Sequence, residues 1–273
     1  MKIVSTGRTI STDEYYRRKV KERRRKRIII SGGVLLVMVA LVLLLRIDAF
    51  RIRDISVSGA AVIGADTVET KVREALAGNY LFIVPRDSAL MYPKRTIIKE
   101  LQAMYPRFSS IELSLEGVET LQIDVVEREP FALYCEGEVS PCYFLDDQGF
   151  IFDRAPIFSE GVYFLYTSEA EFTNPLGRAL LPREEFRAVS EMVRKLKTWR
   201  IQPRRLALAE GEYQLFLESG ARIRWLRGND TSMVLSNLES FLSSDAIKDQ
   251  NNFWEQLSEL DLRTDNKVFY SFK

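Results

Sequence analysis

A chain of 273 residues, 46% of them hydrophobic, can bury one or two ordinary cores, and it contains no histidine at all. That absence removes histidine triads, histidine general bases and the usual zinc sites, and two cysteines cannot build a four-thiolate centre. The formal charge of +1 hides an asymmetry, since residues 1–27 carry a net +8 and residues 46–273 a net −7. A basic part and an acidic part imply two environments rather than one basic nucleic-acid surface, so no nucleic-acid partner is expected.

The first element is a basic tail, residues 1–27, whose cluster Arg23–Arg27 abuts the charge-free run IIISGGVLLVMVALVLLL, Ile28 to Leu45. As a helix these residues span about 27 Å at about 1.5 Å each, close to the ~30 Å hydrocarbon core of a bilayer. A buried core helix needs a polar stripe, and the run has none. A secretory signal has a shorter apolar region and a small-residue cleavage site, which Arg46-Ile47-Asp48-Ala49-Phe50-Arg51 does not offer. Residues 28–48 are therefore expected to form an uncleaved transmembrane helix in the cytoplasmic membrane. The positive-inside rule places residues 1–27 in the cytoplasm and everything after the helix outside. It also sets the basic cluster against anionic headgroups, making the lipid bilayer the first expected partner. Ser31-Gly32-Gly33 allows another helix to approach closely, a weak signal by itself.

Residues 51–129 read as β-α-α-β-β. Ile52, Ile55 and Val57, ending at Gly59, suggest a strand. Asp66 is a candidate helix cap with Glu69 three residues on, and Val68, Val72 and Leu76 share one helical face before Gly78-Asn79. A second helix begins near Pro93, turns Ile97, Ile98, Leu101 and Met104 inward, and ends at Pro106. Ile111, Leu113 and Leu115 then alternate, Glu116-Gly117-Val118 turns, and Leu121, Ile123 and Val125 alternate again. Two helices on one face of a three-stranded sheet make a small α+β domain with an edge open to strand addition.

Residues 130–273 read as β-rich with two helices. Alternation recurs at Phe131–Cys135, Cys142–Leu145, Phe150–Phe152, Val162–Tyr166, Arg205–Ala209, Tyr213–Leu217 and Arg222–Leu226, with turn residues at Asp146-Asp147-Gln148-Gly149 and Glu218-Ser219-Gly220. Helical patterns cover Arg183–Trp199 and Ser232–Leu242. Cys135 and Cys142 flank a hairpin connection that sets them across from each other, which in an oxidising compartment predicts a disulfide contributing roughly 2–3 kcal/mol. A redox role is the alternative, although C-x₆-C is no oxidoreductase motif. Val268, Phe269, Tyr270 and Phe272 read either as ordinary sheet packing or as an exposed docking strand.

Several of these stretches carry a family resemblance. The β-α-α-β-β order beside a membrane anchor resembles a POTRA domain, and Ile52-x-x-Ile55-x-Val57-x-Gly59 is similar to the first POTRA strand of the FtsQ/DivIB family of bacterial cell-division proteins. The stretch Leu121–Ala132, with Glu127, Arg128 and Pro130, is similar to the join between that family's two domains. Leu145–Phe152 resembles its D-x-x-G-hydrophobic hairpin, and Asp261-Leu262-Arg263, a turn and an apolar strand resemble its C-terminal signature. Thr264 and Lys267 depart from that signature, where the family often has Tyr and Gly. Energetically, Glu127 and Arg128 are read as a solvated strand end, where an ion pair contributes only ~0–1 kcal/mol.

The resemblance implies a non-catalytic divisome scaffold that needs no cofactor. Its partners are expected to be FtsB- and FtsL-like single-pass division proteins and other divisome membrane proteins, met outside the membrane through Arg263, Asn266, Val268, Phe269, Tyr270 and Phe272. A POTRA-type adaptor in secretion or envelope assembly is the alternative. A membrane-anchored wall enzyme is the weakest reading: no Ser-x-x-Lys, G-x-S-x-G or G-x₄-G-K-[ST] motif occurs, and Asp146 and Asp147, as neighbours on a strand, would face opposite ways.

Overall fold

Lysine, arginine and glutamate are good helix formers, and in the computed structural model they continue the apolar run backwards into one long helix, α1 (Thr12–Leu45). The structure describes residues 12–80, 84–137, 141–157, 159, 161–169, 172, 174–244, 247, 252–264 and 267–273. The helix stops at Leu45, short of the expected end at 48, because Arg46 and Ile47 leave it and Asp48–Phe50 form a separate 3-10 turn. From Arg17 to Leu45 it is long and apolar enough to cross a membrane. Ile28, Leu36 and Val37 are exposed along it, which sets it apart from a core helix.

The remainder is an α/β region with a large mixed sheet. The chain forms two compact units: Met1–Ser58 with Ile63–Ile97 and Glu112–Asp124, and Gly59–Val62 with Ile98–Ile111 and Val125–Lys273. This division differs from one at residue 129, since Gly59–Val62, Ile98–Ile111 and Val125–Glu129 go with the second unit.

After α1 come β1 (Asp54–Ser58), α2 (Ala65–Leu76), the two-residue strands β2 (Asn79–Tyr80) and β3 (Val84–Pro85), α3 (Lys94–Met104), β4 (Phe108–Glu116) and β5 (Thr120–Glu127). The first sheet has the order β1-β5-β4, with β1 parallel to β5 in the register Ile55↔Leu121 and Val57↔Ile123. Val68, Val72 and Leu76 of α2 are buried, as are Leu121 and Ile123. Asp66 is not the cap expected of it: the cap position falls two residues earlier, at Gly64, and the helix starts at Ala65 without a side-chain cap. Asp66 instead lies in the first turn, where its charge complements the helix dipole. Gly59, at φ 80°, cannot be replaced, because a Cβ there would lie 1.9 Å from the Val125 carbonyl oxygen.

The second unit continues with β6 (Ala132–Cys135), β7 (Cys142–Leu145), β8 (Phe150–Arg154), β9 (Leu165–Ser168), β10 (Arg178–Ala179), α4 (Arg183–Thr198), β11 (Pro203–Ala209), β12 (Glu212–Leu217), β13 (Arg222–Leu226), α5 (Thr231–Leu242), a one-turn helix Phe253–Gln256, β14 (Leu257–Thr264) and β15 (Lys267–Phe272). Ten strands form one sheet in the order β10-β8-β7-β6-β9-β11-β12-β13-β14-β15. Antiparallel sets, β6-β7-β8, β11-β12-β13 and β14-β15, are joined by parallel pairings of β9 with β6 and β11 and of β13 with β14. Phe186, Val189, Met192, Val193 and Leu196 of α4 and Val234 and Leu238 of α5 pack with Leu206, Leu215, Ile223, Trp225 and Leu260 into one core. Asp230 caps α5 by accepting from the Ser232 amide at 2.9 Å. Cys135 and Cys142 lie opposite each other on β6 and β7 and are joined by a disulfide.

Candidate docking edge and the motif residues

The large sheet reaches β15 through strands whose residues alternate between its two faces, with one irregularity at the start of β14. Tyr213, Leu215 and Leu217 of β12, Ile223 and Trp225 of β13, and Leu260 and Leu262 of β14 face the core. The register sets Glu212 and Gln214, Arg222 and Arg224, and Glu259, Asp261 and Arg263 together on the other face. There they pair in one line. Arg222 bonds Glu259; Arg224 reaches Glu259 at 3.0 Å and Glu212 at 2.8 Å; Arg263 reaches Glu212 at 3.4 Å and Asp261 at 2.6 Å.

Three cations and three carboxylates thus alternate and neutralise one another. Burial pushes the Glu259 carboxyl up, but hydrogen bonds from Arg222 and Arg224 and their charges outweigh it and hold it below the ordinary range. Glu212 is held low in the same way, against burial, by Gln214 and Arg224. The hydrogen bond from Arg263 lowers Asp261.

β15 lies outside this ladder and, among the described residues, is paired on one side only, to β14. Its residues alternate as well. Val268 is half-buried against the core, and the Tyr270 ring lies 5.5 Å from Phe241, tilted, and 5.5 Å from Phe272, edge-on; Phe272 itself lies 6.0 Å from Phe253. Phe269, opposite Asp261, belongs to the ladder's face and is 56% exposed; Tyr270 and Phe272 are 45% and 46% exposed. The two departures from the resembled signature meet at the turn, where the Thr264 hydroxyl donates to the Lys267 carbonyl at 2.6 Å. Beyond the strand, the Lys273 amide donates to the Gln256 carbonyl at 2.9 Å.

Four of the six sequence-selected partner residues, Val268, Phe269, Tyr270 and Phe272, therefore share the edge strand, while Asn266 lies outside the described residues. Arg263 stands one strand in, with its guanidinium committed to Asp261 and Glu212. Its charge is therefore paired within the ladder. Sequence reading missed Glu212, Arg222, Arg224 and Glu259, and their polar positions on alternating strands were the only signal.

The join residues also differ from their sequence reading. Arg128 is not a solvated strand end. Its Nε donates to the Pro106 carbonyl at 3.1 Å, its Nη1 bonds the buried Asp146, and its guanidinium lies 4.2 Å from the Phe150 ring centroid. Arg107 repeats the pattern further along β8, bonding Asp153 at 2.7 Å and lying 5.1 Å from the Phe152 ring. The Glu127 carboxylate accepts from the Val62 amide at 3.0 and 3.1 Å. Pro130 follows the end of β5 without an amide hydrogen to extend the ladder.

Asp146 and Asp147 are not strand residues, as β7 ends at Leu145. Asp146 accepts from the Gln148 and Phe150 amides at 2.9 and 2.8 Å, which shapes the turn. Gly149 completes that turn at φ 78°, where a Cβ would sit 2.5 Å from Phe186 Cγ. No family model matches this chain, and no curated protein matches it.

Proposed function

We propose that this chain is a non-catalytic, membrane-anchored scaffold of the bacterial divisome, of the kind represented by FtsQ and DivIB. α1 spans the cytoplasmic membrane with the basic cluster on the cytoplasmic side, and the sheet-containing units act outside. Its partners are FtsB- and FtsL-like single-pass division proteins, which add a strand to β15 and anchor side chains against its aromatics. One observation carries this reading: a six-residue edge strand with exposed Phe269, Tyr270 and Phe272 stands beside a charge-neutral ladder. The small sheet β1-β5-β4 with α2 and α3 supports the POTRA assignment of the first region.

The test is capture from native-host membranes with the detergent-solubilised full chain and with a version lacking Lys267–Lys273. The full chain should retain single-pass division proteins and the shortened chain should lose them; equal capture contradicts docking on β15. Depletion in the host separates division from secretion, because filamentous cells support the proposal and a secretion defect with normal septa counts against it.

A further inference from the structure

The exit of α1 is held by a clasp rather than by a free linker. The Ala89 amide donates to the Phe50 carbonyl at 2.8 Å and the Ile52 amide to the Asp87 carbonyl at 2.8 Å, with Arg51 and Ser88 bridged between them. The Arg51 guanidinium closes the clasp on Asp87 Oδ2 at 2.7 and 3.0 Å, with Asp48 at 3.7 Å. Ile52, Ser88 and Ala89 are buried within it.

Immediately past the clasp the chain turns, the Met91 amide donating to the Ser88 carbonyl at 3.0 Å, and presents Leu90 and Met91 at 54% and 52% exposure. Turn tips ordinarily carry polar residues, so two adjacent large apolar side chains there need a reason. The nearby charges are engaged elsewhere. Asp87 holds Arg51, Lys94 donates to the Leu113 carbonyl at 2.6 Å, and Arg86 lies 5.3 Å from the Tyr80 ring centroid.

Chain length says what covers the pair. Phe50, to which Ala89 is bonded, follows the last residue of α1 by five positions, three of them in a 3-10 turn that rises only about 2 Å per residue. The tip is thus within reach of the headgroup layer, which adds roughly 5–8 Å to each side of the hydrocarbon core. Ile47, 45% exposed, lies on the same short path.

We propose that Leu90 and Met91, together with Ile47, form an apolar shelf that sits in the lipid headgroup and acyl boundary on the side where α1 leaves the membrane. The occupant of this surface is bilayer lipid, and the Arg51–Asp87 clasp sets its depth. The inference rests on the reading of α1 as a membrane span.

The test reconstitutes the full chain, with its disulfide oxidised, in phosphatidylcholine/phosphatidylglycerol vesicles, carrying a nitroxide label at L90C, M91C, V39C or F269C. Relaxation by oxygen against a water-soluble nickel complex reads depth. The V39C label should read the bilayer core and the F269C label water, with L90C and M91C intermediate and severalfold less nickel-accessible than F269C. If V39C reads core while L90C and M91C match F269C, the shelf is wrong and the anchor stands. If V39C itself reads water, the anchor reading fails and takes the shelf with it. In an R51A background the L90C label should move toward the F269C value; an unchanged depth overturns the role given to the clasp.

Discussion

The ten-stranded sheet ends in opposite ways on its two sides. At one end β10 is only two residues long, so it presents almost no free backbone to a second chain. The strands behind it are pinned by Arg128 on Asp146 and Phe150 and by Arg107 on Asp153 and Phe152. At the other end β15 runs for six residues, is aromatic on both faces, and meets solvent along its outer side. Both ends use arginine–carboxylate pairs, but differently. The first end sets each arginine over a phenylalanine ring as well as against its carboxylate, which ties neighbouring segments together. The second lays them out as a neutral ladder beside an edge left open. A protein that only needed to be stable would have blunted both edges.

That contrast predicts separable defects. The largest effect belongs to the closed end, where Asp146→Ala removes the carboxylate that bonds Arg128 and two turn amides. Leaving a largely buried guanidinium unpaired should lower stability by about 3–5 kcal/mol, read by denaturant unfolding of the solubilised chain. A loss under 1 kcal/mol would mean the pair is not the pin described. Gly149→Ala forces a Cβ toward Phe186 at positive φ and should lower stability by about 2–4 kcal/mol in the same assay. At the open end, Phe269→Ala should change stability by less than about 0.5 kcal/mol yet weaken partner binding by about 2 kcal/mol, roughly 30-fold. The reverse pattern, a folding defect with intact binding, would erase the distinction between the two ends.

The smallest effect is electrostatic. Glu259, Glu212 and Asp261 all have their carboxyl pKa lowered in the folded state. The stability they contribute is therefore fully present above the ordinary carboxylate range and is lost as pH falls through their lowered values. Unfolding midpoints should fall on moving from pH 7 to pH 3. Glu259→Gln should be less stable at pH 7, by about 1 kcal/mol, with a smaller acid-induced fall. An identical fall in the variant would remove Glu259 from the cause.

Local patterns carried much of this fold. Arg183–Trp199 was legible as a helix because its apolar residues repeat at helical spacing, and α4 runs Arg183–Thr198. Arg205–Ala209 and Tyr213–Leu217 alternate, and they lie within β11 and β12. The strands β2, β3 and β10 have two residues each, too few to show any period. Strand order was not legible either, because the parallel pairings of β9 with β6 and β11 join segments that no local turn connects. The aromatic strand of the candidate site was visible as four side chains near Asp-Leu-Arg. Its supporting ladder was not, since Arg224 finds Glu259 across 35 residues only once β13 and β14 lie side by side. The same holds for Arg107 and Asp153, 46 residues apart.

The central claim, that partners dock on β15 and not on the opposite edge, is tested most directly by photo-cross-linking in the native host. A photoreactive residue at Phe269 should yield an adduct with a single-pass membrane protein of the division machinery, and one at Ala179 on β10 should yield none. Adducts at Ala179 alone, or none at Phe269 in dividing cells, would contradict the account.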